Sequence, residues 1–164
     1  MLNAINYKIN TMRPWLRYVL IGLAVFLVVG QFIRPNRTVE AAAPEQDYLA
    51  IAQPPAPIAE TIKSACYDCH SNTSKYPWYA EVAPVSWWIQ SHINGGRQKL
   101  NFSAFGSYST KKAAHKIEEC FEEVEKKVMP LKSYTWLHPE AQLSEEERSA
   151  LVGWFKQDYA KREE

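Results

Sequence analysis

Cysteine is scarce in this chain: three in 164 residues, and only Cys66 and Cys69 stand close together. Cys120 is alone and three of the four histidines, His92, His115 and His138, are scattered. No second ligand pair is therefore present to complete a zinc site around the first. Convincing strand periodicity is also lacking, which argues against a thioredoxin-like redox pair, since such pairs sit in alternating strand–helix patterns. A structural disulfide across a two-residue gap is strained and uncommon. Acidic residues are missing before Thr38, where five basic ones occur (Lys8, Arg13, Arg17, Arg34, Arg37); the rest of the chain sets 14 Lys and Arg against 18 Asp and Glu, a net −4. The basic residues form no stripe on a folded face, so nucleic acid is not expected as a partner. No internal repeat is visible.

What remains at the cysteine pair is Cys66-Tyr67-Asp68-Cys69-His70, which reads C-x-x-C-H, the attachment pattern of a c-type haem. Two thiols two residues apart fit on one tight turn and can reach the two vinyl groups of one porphyrin. A histidine directly after the second thiol then lies under the macrocycle, where an imidazole nitrogen binds iron. The cofactor read from these residues is one covalent haem c, held through Cys66 and Cys69 with His70 as proximal ligand.

The charge asymmetry flanks a second feature. Residues 18–33 carry no charge, and Trp15 and Leu16 extend the run, so 16 to 19 residues approach the ~30 Å hydrocarbon core at ~1.5 Å each. Trp15 and Tyr18 suit an interfacial belt, and Arg17 can reach the headgroups. The expectation is one transmembrane anchor over 18–33 after a short cytoplasmic segment, 1–17. Cleavage is the competing reading, because Ala41-Ala42-Ala43 resembles a signal-peptidase site. That site lies well past the apolar run and precedes Pro44, which favours retention.

Residues 34–57 hold Pro35, Pro44, Pro54, Pro55 and Pro57 around the alanines and read as an extended spacer. The alternative is an ordered arm, which Tyr48, Leu49 and Ile51 could support. The domain proper, 58–164, is expected to be all-α. Ile58, Ile62 and Ala65 at helical spacing deliver the Cys66 motif, and a second helix should open at Pro84 and stop before Gly95-Gly96. A third should span Lys111 to Val128, with Ala113, Ile117, Cys120, Phe121, Val124 and Val128 on its apolar face. Its polar side offers Glu122–Lys126 and Glu123–Lys127 pairs. A fourth opens at Ser144, with Glu147 completing a capping box and Leu151, Phe155 and Tyr159 on one face. Cys120 reads as a small buried hydrophobe. Some of the many aromatic residues should wall a haem crevice, because a flat apolar macrocycle needs flat apolar neighbours.

The sixth iron position decides what such a haem does. Met129 leads: it follows the third helix, and Pro130 biases it away from helical backbone, so a thioether can swing toward the iron. His92, His138 and an open site are its rivals. Arg97 is a candidate partner for a haem propionate, its fork matching a carboxylate, against an ordinary surface ion pair.

Several stretches together carry a resemblance: Ala65-Cys66-Tyr67-Asp68-Cys69-His70-Ser71-Asn72, Tyr76-Pro77-Trp78-Tyr79, Ala83-Pro84-Val85-Ser86-Trp87, Gly96-Arg97 and Leu100-Asn101-Phe102-Ser103. Met129-Pro130, Leu137-His138-Pro139-Glu140-Ala141 and Leu143-Ser144-Glu145-Glu146-Glu147-Arg148 continue it. The chain resembles the small bacterial haem-binding domain family, related to membrane-anchored monohaem cytochromes c. The resemblance implies a compact cytochrome c-like helical domain around one haem, with Met129 in the place of the axial Met. Leu131 departs from the second Pro that often follows Met-Pro there. It also implies haem attachment on the outer face of a bacterial inner membrane, hence a single-pass protein with its carboxyl-terminal domain in the periplasm. The expected function is electron carriage between transient redox protein partners, without enzymatic activity. A haem-based ligand sensor, or a peroxidase-associated domain with a labile sixth ligand, is the alternative.

Overall fold

A computed structural model describes residues 13–163, and all regular structure among them is helical, as the class expectation required. The chain divides into two units, one from residues up to Arg37 with Tyr76–Gln90, the other from Thr38–Lys75 with the segment from Ser91 onward.

In the first unit, helix α1 (Pro14–Gly30) starts with proline at a position where the missing N–H costs nothing. Its apolar side chains from Tyr18 to Val29 are largely exposed. Among the described residues no helix is long and apolar enough to cross a membrane. The expected span over 18–33 is thus not formed as one helix. α1 has 17 residues, about 25 Å at ~1.5 Å per residue, and stops at Gly30. At that end Gln31 folds back, its amide nitrogen donating to the carbonyls of Leu27 and of the sequence-distant Ala83 while its oxygen accepts from the Ala83 N–H. Gly30 is buried because the Trp87 ring occupies the space beside it, 3.2 Å from where a Cβ would stand. Trp87 also meets Phe26 edge-on and donates from its indole nitrogen to the Ile33 carbonyl at 2.8 Å. Arg34 and Arg37 both pair with Glu81, and Arg37 lies over the Tyr76 ring. A 3₁₀ turn, Trp78–Glu81, precedes helix α5 (Val85–Lys99), whose opening turns belong to this unit.

The second unit holds the core. Where a spacer was expected over 34–57, a 3₁₀ turn (Pro44–Gln46) leads into helix α2 (Tyr48–Ala52), capped by the Asp47 carboxylate accepting from the Leu49 N–H. Tyr48 is fully buried against Phe102, Phe105 and Phe155. Locally, over 44–52, the stretch is thus held on the core through Tyr48, as the ordered-arm alternative had it, while 34–43 and 53–55 carry no regular structure. The Tyr48 hydroxyl donates to Asp158 at 3.2 Å and accepts from the Trp154 indole at 3.0 Å; Arg162 completes the network on the same carboxylate.

Helix α3 (Ala56–Ala65) runs directly into the motif turn α4 (Tyr67–His70), with Ile62 and Ala65 buried as their spacing predicts. α5 does not stop before Gly95-Gly96 but continues to Lys99, for a reason that lies in the site below. A 3₁₀ segment, Phe102–Ser107, joins it to helix α6 (Thr110–Glu125), which packs along helix α8 (Glu145–Glu163). Short α7 (Lys132–Thr135) and a 3₁₀ turn (Pro139–Ala141) link these two.

α6 ends three residues earlier than its hydrophobic pattern predicts. Lys127 takes a left-handed backbone (φ 58°), so Val128 is exposed and Lys127 pairs with Glu145 instead of Glu123. The Glu122–Lys126 pair forms at 2.7 Å. The capping box is present in both directions: Ser144 Oγ accepts from the Glu147 N–H at 3.1 Å, and Glu147 accepts from the Ser144 N–H at 2.8 Å.

Candidate functional site

Each residue of the five-residue motif has its own task. Cys66 ends α3 and begins the next turn, its carbonyl accepting from the N–H groups of Cys69 and His70. Tyr67 points into the core, stacked on Phe102 with 13° between the rings, and its hydroxyl donates to Asp47 at 2.7 Å. Asp68 accepts from the Tyr134 hydroxyl at 2.7 Å and from the Lys75 N–H at 3.1 Å, bracing the following loop. Cys69 passes so close to α5 that a Cβ on Gly96 would stand 2.7 Å from its carbonyl oxygen. That approach explains the glycine, which serves contact with the motif and not helix termination.

His70 carries the electrostatic argument. Its Nδ1 lies 3.2 Å from the Leu100 carbonyl, an acceptor only, so Nδ1 bears the proton. Burial lowers its pKa from the ordinary 6.5, against the opposing pull of that hydrogen bond, and the ring is neutral at physiological pH. A neutral imidazole with Nδ1–H fixed on a backbone carbonyl keeps its Nε2 lone pair for a metal.

His70 lines a cavity of about 380 Å³, together with Cys66, Met129 and Cys120. Apolar walls come from Leu100, Phe102, Val124 and Phe155, and the rim carries Lys99, Lys116, Glu119 and Glu123. This volume is within the usual range for ligand cavities, ~300–1,000 Å³. A wider cleft of about 740 Å³ lies along Ala42–Pro44, Lys63 and Lys75; Tyr67 and Asp68 reach it, but no thiol, imidazole or thioether does. The donor set therefore marks the smaller cavity as the site.

The three cysteines are free thiols. Desolvation pushes Cys66 up to about 12 and Cys69 up to about 11, and raises Cys120 well above its ordinary value. All three are protonated at neutral pH as the site stands. The chemistry of this donor set fits a haem: imidazole and thioether as iron ligands, a neutral thiol available for a thioether bond, aromatic and aliphatic walls for the macrocycle.

The structure brings together three of the five site residues expected from sequence: Cys66, His70 and Met129. Cys69 and Arg97 do not line the cavity. Arg97 instead braces the loop after the motif, its Nε donating to the Ser71 carbonyl at 2.6 Å and Nη2 to Ser74 Oγ at 2.7 Å. The cations that do line the cavity are Lys99 and Lys116, the latter paired with Glu119 at 2.6 Å. Neither was singled out from sequence; Lys116 lies four residues before Cys120, a spacing that puts both on one side of α6.

Of the three side chains weighed for the sixth position, Met129 alone lines the cavity. His92 is exposed on α5, and His138 stacks on Tyr134 and contacts Glu140 at 3.0 Å. The Met129 backbone is held on both sides: its N–H donates to the Glu123 carbonyl at 3.1 Å, and its carbonyl accepts from Arg148 at 3.2 Å. The same Arg148 nitrogen donates to the Val124 carbonyl at 2.7 Å, tying the end of α6 and the Met129 loop to α8.

Fold and site together define a small helical domain with an imidazole, a thioether and a thiol converging on one apolar cavity, the class of a haem binder. A model of the haem-binding domain family matches residues 25–157, more than half of the chain, and the chain belongs to that family. No curated protein and no solved structure matches it.

Proposed function

We propose that this haem-binding protein is a membrane-anchored monohaem cytochrome of the c type that carries electrons in the periplasm. The observation that carries the reading is the meeting of His70 and Met129 in one cavity with Cys66 of the C-x-x-C-H turn. Haem bound there would supply a one-electron iron couple. The chain's part would be to hold it: Cys66, with Cys69 one turn further along the same motif, as covalent tethers, and His70 and Met129 as iron ligands. Histidine with methionine raises the potential and fills the iron, which suits outer-sphere transfer over substrate chemistry. The two backbone restraints on Met129 support a permanent ligand over one that yields to a diatomic gas.

The anchor is α1, whose exposed apolar side chains would lie in the hydrocarbon region, with the site-bearing unit on the outer face. Its 17 residues give about 25 Å of helix, short of the ~30 Å core, and the exposed Phe32 and Ile33 would carry the apolar surface beyond its end. Retention of α1 on the mature protein follows from the same surface, and amino-terminal sequencing that began at or after Ala41 would overturn it.

Optical spectra of purified protein in both redox states, with and without carbon monoxide, test the ligand set. A low-spin, six-coordinate haem that resists pyridine extraction and binds carbon monoxide poorly is expected. Rapid carbon monoxide binding by the wild type would refute the carrier reading.

A further inference from the structure

Residues 78–88 present four large apolar side chains to solvent: Trp78 (79 % exposed), Val82, Val85 and Trp88 (51 %). Ser86, which alternates with them, is buried, and Trp87 is turned toward α1. So much tryptophan on a surface is costly unless something covers it.

The same segment is fastened to the end of α1. Gln31 holds both the N–H and the carbonyl of Ala83, Trp87 donates to the Ile33 carbonyl, and the Trp87 ring packs where Gly30 leaves space. Resting on the membrane-anchor part of the reading above, we propose that Trp78, Val82, Val85 and Trp88 form a lipid-contact surface seated in the headgroup–acyl boundary around the exit of α1.

Three observations point to lipid. The exposed apolar surface of α1 continues into this patch, with Phe32 and Ile33 exposed between them. Tryptophan is the residue that favours this boundary, its ring among acyl carbons and its N–H in the polar layer. The one carboxylate there, Glu81, is matched by Arg34 and Arg37, which leaves the cluster with net positive charge toward anionic headgroups. α1, at about 25 Å, falls short of the ~30 Å core, and an aromatic collar at its end would seat it at a fixed depth.

The test uses the full haem-loaded chain in vesicles of phosphatidylcholine and phosphatidylglycerol containing a phosphatidylcholine with a diazirine near the headgroup end of one acyl chain. Illumination and peptide mass spectrometry then report which residues touch lipid. Labelling of both α1 and the 76–90 peptide is expected, with none when the diazirine lipid is left out of the vesicles. In W78A/W88A, labelling of 76–90 should fall by more than half while the haem spectrum stays unchanged. Labelling of α1 without 76–90 would overturn the lipid-contact surface and leave the anchor standing. Labelling of neither would overturn both.

Discussion

Gly95 and Gly96 are neighbours on α5, and adding a methyl group to each should act in opposite directions. A Cβ on Gly95 meets nothing within 4 Å. Gly95→Ala therefore gains helix propensity alone, ~1 kcal/mol. A Cβ on Gly96 would stand 2.7 Å from the Cys69 carbonyl oxygen and 3.3 Å from its carbon. An ordinary contact begins near 3.4 Å, so the oxygen would have to retreat by about 0.7 Å. Both partners are backbone and cannot rotate away. Overpacking of this kind costs ~1–3 kcal/mol, and two rigid partners place it at the upper end. Subtracting the propensity gain leaves a net loss of ~2 kcal/mol. For a chain of this size the melting point should fall by ~4–8 °C in Gly96→Ala and rise by ~2–4 °C in Gly95→Ala. The retreat of Cys69 would also displace His70, so Gly96→Ala should lose covalent haem while Gly95→Ala keeps it. Thermal unfolding by circular dichroism and haem staining on denaturing gels read the two effects. A Gly96→Ala protein as stable and as fully loaded as wild type would refute the close-approach argument.

The double variant Cys66→Ala with Cys69→Ala should give little haem-staining protein on a denaturing gel, and undiminished covalent haem would sink the attachment claim. Met129→Ala should keep its covalent haem, lose the methionine-to-iron charge-transfer band and admit carbon monoxide readily; an unchanged spectrum would place the sixth ligand elsewhere. Arg148→Met should weaken the methionine-to-iron charge-transfer band by freeing the loop that Arg148 ties to Val124, with Arg148→Lys restoring part of it, and an unchanged band would refute the restraint. Tyr48→Phe leaves the Trp154 indole and one Asp158 contact unmatched in the core and should cost ~1–3 kcal/mol in denaturant unfolding.

Features coded by neighbouring residues were legible in the chain alone. The C-x-x-C-H turn is contiguous, the Ser144–Glu147 box closes over three residues, and Ile58–Ala65 announces a helix through its own spacing. These depend on backbone geometry that any chain with those residues adopts. Tertiary packing decided the rest. Pattern counting carried the third helix to Val128, but tying Lys127 to Glu145 on α8 accompanies its end at Glu125. Gly95-Gly96 has the form of a helix stop, yet Cys69 pressing on α5 gives Gly96 another purpose. Prolines around Tyr48 spell a spacer, while the pocket made by Phe102, Phe105 and Phe155 orders it. The Met129-Pro130 pair pointed to Met129 over His92 and His138, but that Met129 lines the His70 cavity is a tertiary fact. It depends on which of them the packing of α6 against α8 turns toward His70, and residues far apart in sequence share a cavity only once the chain has folded.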